Sequence, residues 1–315
     1  MTEATLTAVV LNFDGRHLLE TVLPSLAAQS VQALPIVVVD NGSSDDSIEW
    51  LAREWPQVGV VRLAENIGVT RALNACLDAA RTDFVALLNN DLELDPACLG
   101  ELVNALLAHP EAGSAGGKLL DFSERTVIDG AGDTLTWRGN GHRRGHGVPD
   151  RGQYDEPRAI FGACGGAAVY RRSALDQVGP FDEDFYAFFE DVDWSLRAQV
   201  AGWQCRYVPT AIAYHMGSAT IGRGLSDFTR YHLWRNGVWL VAKGLPLRIL
   251  LRHAHQLALG QVVNLAVALR DRRLHIWLRS WRDAVRATPA VLRKRRAVQR
   301  SRRVAARELE ARLVD

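Results

Sequence analysis

The chain has 315 residues, of which 48% are hydrophobic and 23% are charged, and its formal net charge is +1 at pH 7. This composition is ordinary for a globular protein with a sizeable core, and it excludes a chain that is mostly disordered. Four cysteines are scattered without any CxxC spacing, so we expect reduced, buried thiols and neither a disulfide framework nor a zinc site; they are Cys76, Cys98, Cys164 and Cys205.

Strands and helices are predicted to alternate along the first part of the chain. Apolar strands are predicted at residues 7–12, 35–40, 58–63 and 84–89, with helices at residues 17–28, 47–55 and 69–80. Strands that are apolar throughout and alternate with helices indicate a parallel sheet that is covered on both faces. Ligands bind at the carboxyl ends of the strands in such sheets, so polar residues at these ends are candidates for a functional site.

Three strand ends carry polar residues of this kind. Asn12 ends the first strand, Asp40 ends the second, and Asn89, Asn90 and Asp91 end the fourth. Asp40 could accept hydrogen bonds from a nucleotide base or a ribose, although Asp commonly serves at such positions as a turn or helix cap instead. Asp91 suits a hard divalent cation that also binds a diphosphate. A capping role accounts poorly for Asp91, because the next helix has its own cap.

A further candidate for anion binding lies at the start of the third helix. Residues 65–71 include Asn66 and Arg71. Helix N-termini favour anions, and Arg71 could reach a phosphate. The alternative is a capping turn with a surface arginine, and it is the preferred interpretation when this segment is taken alone.

The middle of the chain is rich in glycine, and its pattern is weaker. Residues 113–166 are predicted to form hairpins and loops, and residues 161–170 a small-residue loop that continues into a strand. A helix is predicted at residues 191–202, followed by a strand at residues 205–214 that ends at His215. A lone histidine is more often structural than a ligand. His215 becomes a candidate because a metal at the strand ends would need a further protein ligand.

A dense acidic cluster lies at the start of the predicted helix at residues 191–202. Glu190, Asp191 and Asp193 place three carboxylates within four residues, directly after two phenylalanines. Acidic residues in the first turn of a helix are stabilised by its dipole, which accounts for one or two of them. A partly buried carboxylate beside aromatic rings has a raised proton affinity and makes a suitable general base. We therefore interpret the cluster as a candidate site for proton abstraction.

Taken in order, these motifs resemble those of family 2 glycosyltransferases with the GT-A fold, and in particular their rhamnosyltransferase and galactofuranosyltransferase branch. The segments that carry the resemblance are VVLNFDG (9–15), VVDNGSSD (38–45), ENIG (65–68), LLNND (87–91), GGAAVYRR (165–172), FFEDVDWSLR (188–197) and YH (214–215). Each motif is weak alone, but the ordered set is specific and covers roughly residues 5–240. The resemblance implies an α/β protein of the GT-A nucleotide-diphospho-sugar transferase type. Such a protein has a mostly parallel central sheet with helices on both faces, and here a C-terminal helical region follows.

The activity that the resemblance implies is the inverting transfer of a sugar, with rhamnose as one candidate, from a nucleotide-diphosphate donor. A dTDP- or UDP-linked donor is favoured, and the acceptor would be a hydroxyl of a glycan or of a polyprenyl-diphosphate-linked glycan in cell-surface polysaccharide assembly. Asp91 and His215 would bind Mn²⁺ or Mg²⁺ at the donor diphosphate. Nucleotide-sugar contacts would come from Asn12, Asp40, Asn66, Arg71, Asn89 and Asn90.

The same resemblance implies that Asp191 is the general base that deprotonates the acceptor hydroxyl. The implied acceptor-binding residues are Glu190, Asp193, Trp194, Gly165 and Gly166. The chain departs from the family pattern in two ways. Asn89 replaces the first acid of the usual D-x-D, which leaves Asp91 as the main anionic ligand. The Q-x-x-R-W motif of processive synthases is absent, so we expect the addition of one or a few sugars.

We predict a catalytic domain over residues 1–225, with a nucleotide-binding half at 1–115 and an acceptor-binding half at 116–225. Residues 226–315 are predicted to be helical and basic, and residues 270–315 contain 15 Lys and Arg against 5 Asp and Glu. Basic helices with Trp and Leu suit the surface of an anionic membrane. The alternative is that they pack on the catalytic domain or on a second subunit of a homo-oligomer. We do not expect a nucleic acid partner.

The expected location is the cytoplasm, peripheral on the inner face of the cell membrane. No uninterrupted apolar segment reaches the ~20 residues of a spanning helix, and the N-terminus does not show a signal-peptide pattern. Two other functions fit parts of the pattern. A metal-dependent nucleotidyltransferase would be expected to carry a Gly-rich phosphate loop with a lysine near the N-terminus, and residues 9–15 do not form one. An inactive glycan- or lipid-binding scaffold would not be expected to keep Asp40, Asp91, Asp191 and His215.

Overall fold

The computed structural model of the chain describes residues 4–31, 34–217 and 225–313. A mixed β-sheet runs through the molecule, and helices pack against both of its faces. The strands are β1 (Leu6–Asn12), β2 (Ile36–Asp40), β3 (Gly59–Arg62), β4 (Phe84–Asn89), β5 (Leu92–Leu94), β6 (Ala112–Asp121), β7 (Val127–Gly130), β8 (Asp133–Leu135), β9 (Gly141–Arg143), β10 (Val148–Pro149), β11 (Arg158–Ile160), β12 (Ala167–Arg171) and β13 (Gln204–His215). The helices are α1 (Arg16–Ala27), α2 (Ser47–Glu54), α3 (Val69–Ala79), α4 (Cys98–Ala108), α5 (Arg172–Val178), α6 (Glu190–Val200), α7 (Asp227–Gly244), α8 (Leu247–Arg252), α9 (Ala254–Arg270), α10 (Leu274–Arg286), α11 (Thr288–Arg300) and α12 (Ala306–Leu313).

The strands predicted in the first part of the chain form a parallel block. β1 lies between β2 and β4, and β3 lies beside β2. In this register Asn12 pairs with Asp40, and Leu11 pairs with Asn89. The carboxyl ends of three strands therefore meet at one edge of the sheet, which confirms the sequence-based prediction.

Two strands from later in the chain bring further residues to the same edge. β12 lies antiparallel between β4 and β6, and Gly166, just before it, accepts a hydrogen bond from Asn89 N over 2.9 Å. β13 runs parallel to β6 and antiparallel to β5, and it ends at His215. Met216 N donates to the carbonyl oxygen of Asp91 over 2.9 Å. This bond holds the end of β13 beside Asp91.

One long strand was not predicted. Residues 112–121 form β6, an inner strand, whereas hairpins and loops were expected from residue 113 onward. A Cβ on Gly117 would lie 2.0 Å from the carbonyl oxygen of Ala211, and a Cβ on Gly116 would lie 2.7 Å from the Cβ of Ala163. Glycine here permits close packing and does not mark a turn. Hairpins do follow from β7 onward, and the antiparallel β12 makes the sheet more mixed than the mostly parallel sheet that was expected.

Each face of the sheet has its own apolar core. Along β1, Ala8 and Val10 belong to the core that contains Leu23 of α1, whereas Val9 belongs to the core that contains Leu73 of α3. Successive residues of a strand point to opposite faces, so a strand covered on both sides must be apolar throughout. This is why the strands of the parallel block were recognisable in the sequence.

The C-terminal helices share a third core with α6. Leu196 and Val200 of α6 pack with Trp239 and Leu240 of α7 and with Val298 of α11. These helices therefore rest directly on the helix that begins with the acidic cluster. Over the three described ranges, none of the helices combines the length and apolar character that crossing a bilayer would require.

Candidate active site

A cavity of about 670 Å³ lies at the carboxyl ends of β1, β2 and β4. Most of the predicted site residues line it, namely Asn66, Asn89, Asn90, Asp91, Gly165, Gly166, Glu190, Asp191 and His215. The other predicted residues do not form part of its wall, namely Asn12, Asp40, Arg71, Asp193 and Trp194. The structure therefore separates the side chains that face the cavity from those that lie outside its wall.

Beneath the cavity, a buried polar cluster joins the ends of β1 and β2. Asn12 and Asp40 are fully buried. Asn12 Nδ2 donates to Asp40 Oδ2 over 3.0 Å, and Asn90 Nδ2 donates to Asn12 Oδ1 over 2.8 Å. Ser43 N donates to Asp40 Oδ1 over 3.0 Å, so both carboxylate oxygens are occupied. The cluster supports the cavity floor. A direct contact between Asp40 and a nucleotide stays a prediction, and it would require the hydrogen bond from Ser43 to the Asp40 carboxylate to break.

Asn41 and Asn66 form a wall of the cavity above this cluster. Asn41 Nδ2 donates to Asn66 Oδ1 over 3.2 Å, and Ile67 N donates to Asn41 Oδ1 over 3.0 Å. Their two loops touch at Gly42, which has φ +78° and where a Cβ would lie 2.4 Å from the carbonyl carbon of Glu65. Asn41 was not among the predicted site residues. Its place directly after the second strand was the signal that could have identified it.

Asp91, His215 and Asp129 meet on the cavity wall. His215 Nε2 is 3.3 Å from Asp91 Oδ1, and His215 Nδ1 is 2.8 Å from Asp129 Oδ2. Burial acts to lower the pKa of His215, but the carboxylates of Asp129 and Asp91 raise it to about 9. Asp91 Oδ1 is buried and makes no hydrogen bond of good geometry. A buried carboxylate oxygen without a well-aligned donor is suited to bind a cation.

This group fits one divalent cation that is shared with a substrate. Among the residues described, no three His, Cys, Asp or Glu side chains are arranged to hold a metal by themselves. Asp91 and His215 would supply two ligands, and Asp129 would fix the ring of His215 in the manner of an outer-shell carboxylate. Mg²⁺ takes six ligands and usually keeps several from water and substrate phosphate. The remaining ligands would therefore be oxygens of a diphosphate and of water.

Asp191 is held on the cavity wall by backbone donors. Gly165 N donates to Asp191 Oδ2 over 3.1 Å, and Val192 N donates to Asp191 Oδ1 over 2.8 Å. A Cβ on Gly165 would lie 2.4 Å from Asp191 Oδ2, so the carboxylate occupies the space that a larger residue would fill. Burial raises the pKa of Asp191 despite these bonds. The result is an oriented carboxylate with an increased affinity for protons.

Two further carboxyl groups lie close to Asp191. Burial, followed by the charge of Asp191, raises the pKa of Glu190 to about 8. The same two causes raise the pKa of Asp133 to about 8. Glu190 Oε2 is buried and has no hydrogen-bond partner. Like charges that are buried close together disfavour full ionisation of all three carboxyl groups. Glu190 keeps an oxygen that can accept a hydrogen bond from a substrate hydroxyl.

The hairpin region from β7 to β9 contributes cavity residues that were not predicted. Asp129, Asp133, His142, Arg143 and His146 all line the cavity. Arg143 Nη1 donates to Asp129 Oδ2 over 2.6 Å, so a positive charge lies next to the group that holds His215. These residues come from a polar, glycine-rich segment without a recognisable motif. Nothing local in the sequence identified them.

Asp193 and Trp194, predicted to bind the acceptor, are structural residues instead. Both are fully buried. Asp193 pairs with Arg197 over 2.8 Å and with Lys243 over 2.6 Å. Trp194 Nε1 donates to the carbonyl oxygen of Gly179 over 3.1 Å. An α-helix has 3.6 residues per turn, so consecutive side chains point in different directions. Asp193 and Trp194 therefore point into the protein, while Asp191 points into the cavity.

Arg71, predicted to contact the donor phosphate, is a surface residue. Its Nε donates to Glu183 Oε2 over 3.1 Å, and its side chain is 59% exposed. The alternative interpretation, a surface arginine beside a capping turn, therefore describes it better. Exposed ion pairs of this kind contribute little to stability.

The segment before α6 has a strained backbone that α7 holds in place. Tyr186, Phe188 and Phe189 have φ values of +65°, +65° and +69°, a region that costs a non-glycine residue energy. Asn236 of α7 is fully buried, and its Nδ2 donates to the carbonyl oxygens of Ala187 over 2.9 Å and of Phe188 over 2.7 Å. This contact was not predicted. It fixes the turn that delivers Glu190 and Asp191 to the cavity.

The chain is similar to known proteins in sequence. The family model described as Glycosyl transferase family 2 matches residues 7–179. Over 253 residues the chain is 28% identical to the N-acetylglucosaminyl-diphospho-decaprenol L-rhamnosyltransferase of Mycobacterium tuberculosis, a match that covers 74% of this chain and 82% of the relative. The predicted likeness to the rhamnosyltransferase branch is therefore confirmed.

Two solved structures share the fold. GalNAc-T7, solved with UDP, GalNAc and Mn²⁺, gives a TM-score of 0.63 at 17% identity, covering 77% of this chain and 48% of its own. The mannosyltransferase PcManGT of Pyrobaculum calidifontis, solved with GDP-Man and Mn²⁺, gives 0.57 at 17% identity, covering 99% of this chain and 86% of its own. At such low identity the likeness shows the fold alone, and it confirms the GT-A fold.

Proposed function

Because the chain belongs to glycosyl transferase family 2, we propose that it is an inverting transferase that moves a sugar from a nucleotide-diphosphate donor to an acceptor hydroxyl. One juxtaposition carries the proposal. Gly165 N binds Asp191 Oδ2 over 3.1 Å, while a Cβ on the next residue, Gly166, would lie 3.4 Å from Asn89 Nδ2 and 3.8 Å from His215 Nε2. Two consecutive glycines thus link a carboxylate suited to be a base with the residues suited to hold a metal-bound diphosphate.

In the proposed reaction, Asp191 takes the proton of the acceptor hydroxyl. The acceptor oxygen bonds to the anomeric carbon of the donor sugar, and the bond between that carbon and the diphosphate oxygen breaks, which inverts the configuration. A general base of this kind contributes about 10²–10⁴-fold to the rate. Because burial raises the pKa of Asp191, its carboxylate is a stronger proton acceptor than a solvated one.

The leaving diphosphate lies on the other side of the proposed reaction. A bound Mn²⁺ or Mg²⁺ would neutralise its negative charge. Asp91 and His215 would hold this ion, and Asp129 would orient His215. Arg143 would add a second positive charge from the hairpin. The Mn²⁺ in both superposed structures supports a divalent ion in this fold.

The substrates that we propose are a dTDP- or UDP-linked sugar and a polyprenyl-diphosphate-linked glycan. The name of the Mycobacterium relative specifies rhamnose as the transferred sugar and a decaprenol-linked acceptor, which supports rhamnose as the transferred sugar here. The absent Q-x-x-R-W motif supports the addition of one or a few sugars in surface polysaccharide assembly. A lipid-linked acceptor is held in a membrane, so we propose that the enzyme works at the cytoplasmic face of the cell membrane.

The donor screen that tests this function uses purified protein with Mn²⁺ and dTDP-, UDP- and GDP-sugars. Nucleotide release that depends on a polyprenyl-diphosphate-linked acceptor, and that EDTA removes, is the expected result. If no nucleotide sugar is bound or turned over, the transferase proposal fails. Synthesis of a nucleotide sugar from a sugar phosphate would favour a nucleotidyltransferase, and glycan binding without turnover would favour an inactive scaffold.

A further inference from the structure

The outward side of α8 and α9 is apolar and uncovered. The large apolar residues on it are between 38% and 70% exposed, and we name them the α8–α9 face: Leu247, Leu251, Leu259, Val262, Val263 and Leu269. Only His253 separates the two helices. Within each helix, spacings of three, four or seven residues place these residues on one side, with Leu247 and Leu251 on α8 and the other four on α9. A contiguous apolar strip of this length on a monomer marks an interaction site.

The opposite side of α9 is already occupied by the hairpin that lines the cavity. A Cβ on Gly260 would lie 2.3 Å from the carbonyl oxygen of Arg138, so the hairpin tip is in contact with the helix backbone. The ring of Trp137 stacks on His253 at 3.8 Å between centroids and 6° between planes. The α8–α9 face is therefore the side of the helix that residues 4–31, 34–217 and 225–313 leave open.

The charges around this face are predominantly positive. α8 and α9 contain three arginines and no acidic residue. The neighbouring acids already have arginine partners: Asp271 lies 2.9 Å from Arg230, and Glu310 of α12 lies 3.3 Å from Arg252. Arg248, Arg252 and Arg270 are exposed at the two ends of the face. An apolar strip between arginines matches a surface that has anionic headgroups above an apolar layer.

We infer that the α8–α9 face docks on an anionic lipid bilayer, with α9 lying in the plane of the interface. A second copy of this chain is a poorer occupant, because either orientation of two α9 helices brings arginine-rich ends together. A lipid surface supplies phosphates for the arginines and acyl chains for the leucines and valines. The inference deepens the proposed function, since a docked α9 ties the hairpin wall of the cavity to the membrane that would hold the acceptor.

Vesicle flotation of the full-length chain tests this inference. Leu259→Glu/Val262→Glu introduces charge on the face, and Leu107→Glu is the matched control, because Leu107 is 51% exposed on α4. We expect the wild type and the control to float with phosphatidylcholine vesicles that contain phosphatidylglycerol. The double variant should bind at least about tenfold more weakly, because two apolar side chains that the bilayer would bury are lost. Binding should also fall as salt rises.

Several outcomes would overturn the inference. One is equal flotation of the double variant and the control, and another is equal binding to vesicles without phosphatidylglycerol. A third is a wild-type dimer in light scattering that the double variant alone converts to a monomer, without flotation of either protein. Circular dichroism checks that the variants fold, and Leu251→Gln probes the same face from α8. Turnover with a water-soluble acceptor separates the two proposals, because docking can hold even where that activity is absent.

Discussion

Among individual residues, Asp191 and Glu190 are neighbours in the sequence but have different surroundings. Asp191 accepts hydrogen bonds from Gly165 N and Val192 N, which fix the direction of its oxygens. Glu190 Oε2 accepts none. A base must be oriented towards the proton that it removes, so the fixed group is the better candidate. The free oxygen of Glu190 is suited to bind an acceptor hydroxyl.

We expect Asp191→Asn to lower the rate of sugar transfer by about 10²–10⁴-fold, because the amide cannot take the proton of the acceptor. Donor affinity should stay within a few-fold of the wild type, since Asp191 is not among the residues that we propose to contact the donor. Steady-state kinetics together with calorimetry of nucleotide binding measure both quantities. Glu190→Gln is the matched control and should mainly raise KM for the acceptor. Undiminished turnover in Asp191→Asn would remove this residue as the base.

Among the secondary-structure elements, α7 supports the segment that carries the acidic cluster. Asn236 donates to the carbonyl oxygens of Ala187 and Phe188. Lys243, near the C-terminus of α7, pairs with Asp182 and with Asp193, each over 2.6 Å. The helix thus holds the strained turn before α6 and the first turn of α6 itself. A helix beyond the domain boundary that we proposed at residue 225 therefore contacts the segment that carries Glu190 and Asp191.

We expect Asn236→Ala to lower kcat by roughly 10–100-fold, because each lost buried hydrogen bond costs about 1–3 kcal/mol and the turn then leaves its strained conformation. The affinity for the nucleotide should change little, since Asn41 and Asn66 are on another wall. Arg230→Gln is the matched control on α7, because Arg230 pairs with Asp271 away from the turn. Loss of kcat and nucleotide affinity in equal measure, or wild-type kcat in a folded variant, would contradict this role.

In the molecule as a whole, the same buried carboxyl groups link stability to pH. Burial raises the pKa of Glu190 from 4.5 to about 8, and that of Asp133 from 3.8 to about 8. The folded protein therefore binds more protons than the unfolded chain between these values, and its stability declines as pH rises through that window. Asp182 acts in the opposite direction. Burial opposes its ionisation, but Lys243 and Lys294 lower its pKa to about 2. The stability that ionised Asp182 contributes to the folded state is therefore lost only in strong acid.

We expect the melting temperature of the wild type to fall as pH rises from about 5 to about 8, because the folded state keeps Glu190 and Asp133 protonated while the unfolded chain loses these protons. Glu190→Gln removes one of these groups and should flatten the curve. Asp176→Asn, on the helix that packs beside α6, is the control and should leave the slope unchanged. Scanning calorimetry across this pH range measures the effect. Parallel curves for the wild type and Glu190→Gln would refute the assignment.

The transfer rate should change with pH in the opposite direction, since a base must be ionised to accept a proton. Arg143 faces the carboxyl groups from the hairpin and favours their ionised forms. Glu190 and Asp133, when ionised, oppose further ionisation at Asp191. Activity and stability would therefore favour different ends of the same pH range.

The sequence was sufficient to predict the family, the parallel strands and the location of the cavity. Strands buried on both faces are apolar throughout, and the polar residues that end them stand out, so Asn89–Asp91 and Glu190–Asp191 were recognisable from local pattern. The orientation of Asp193 and Trp194 depended on the packing of α6 against α7. The contribution of Asp129 depended on a contact with His215 across 86 residues of chain. Sequence patterns report on neighbours along the chain, whereas burial and the partners of a carboxylate depend on residues that only folding brings together.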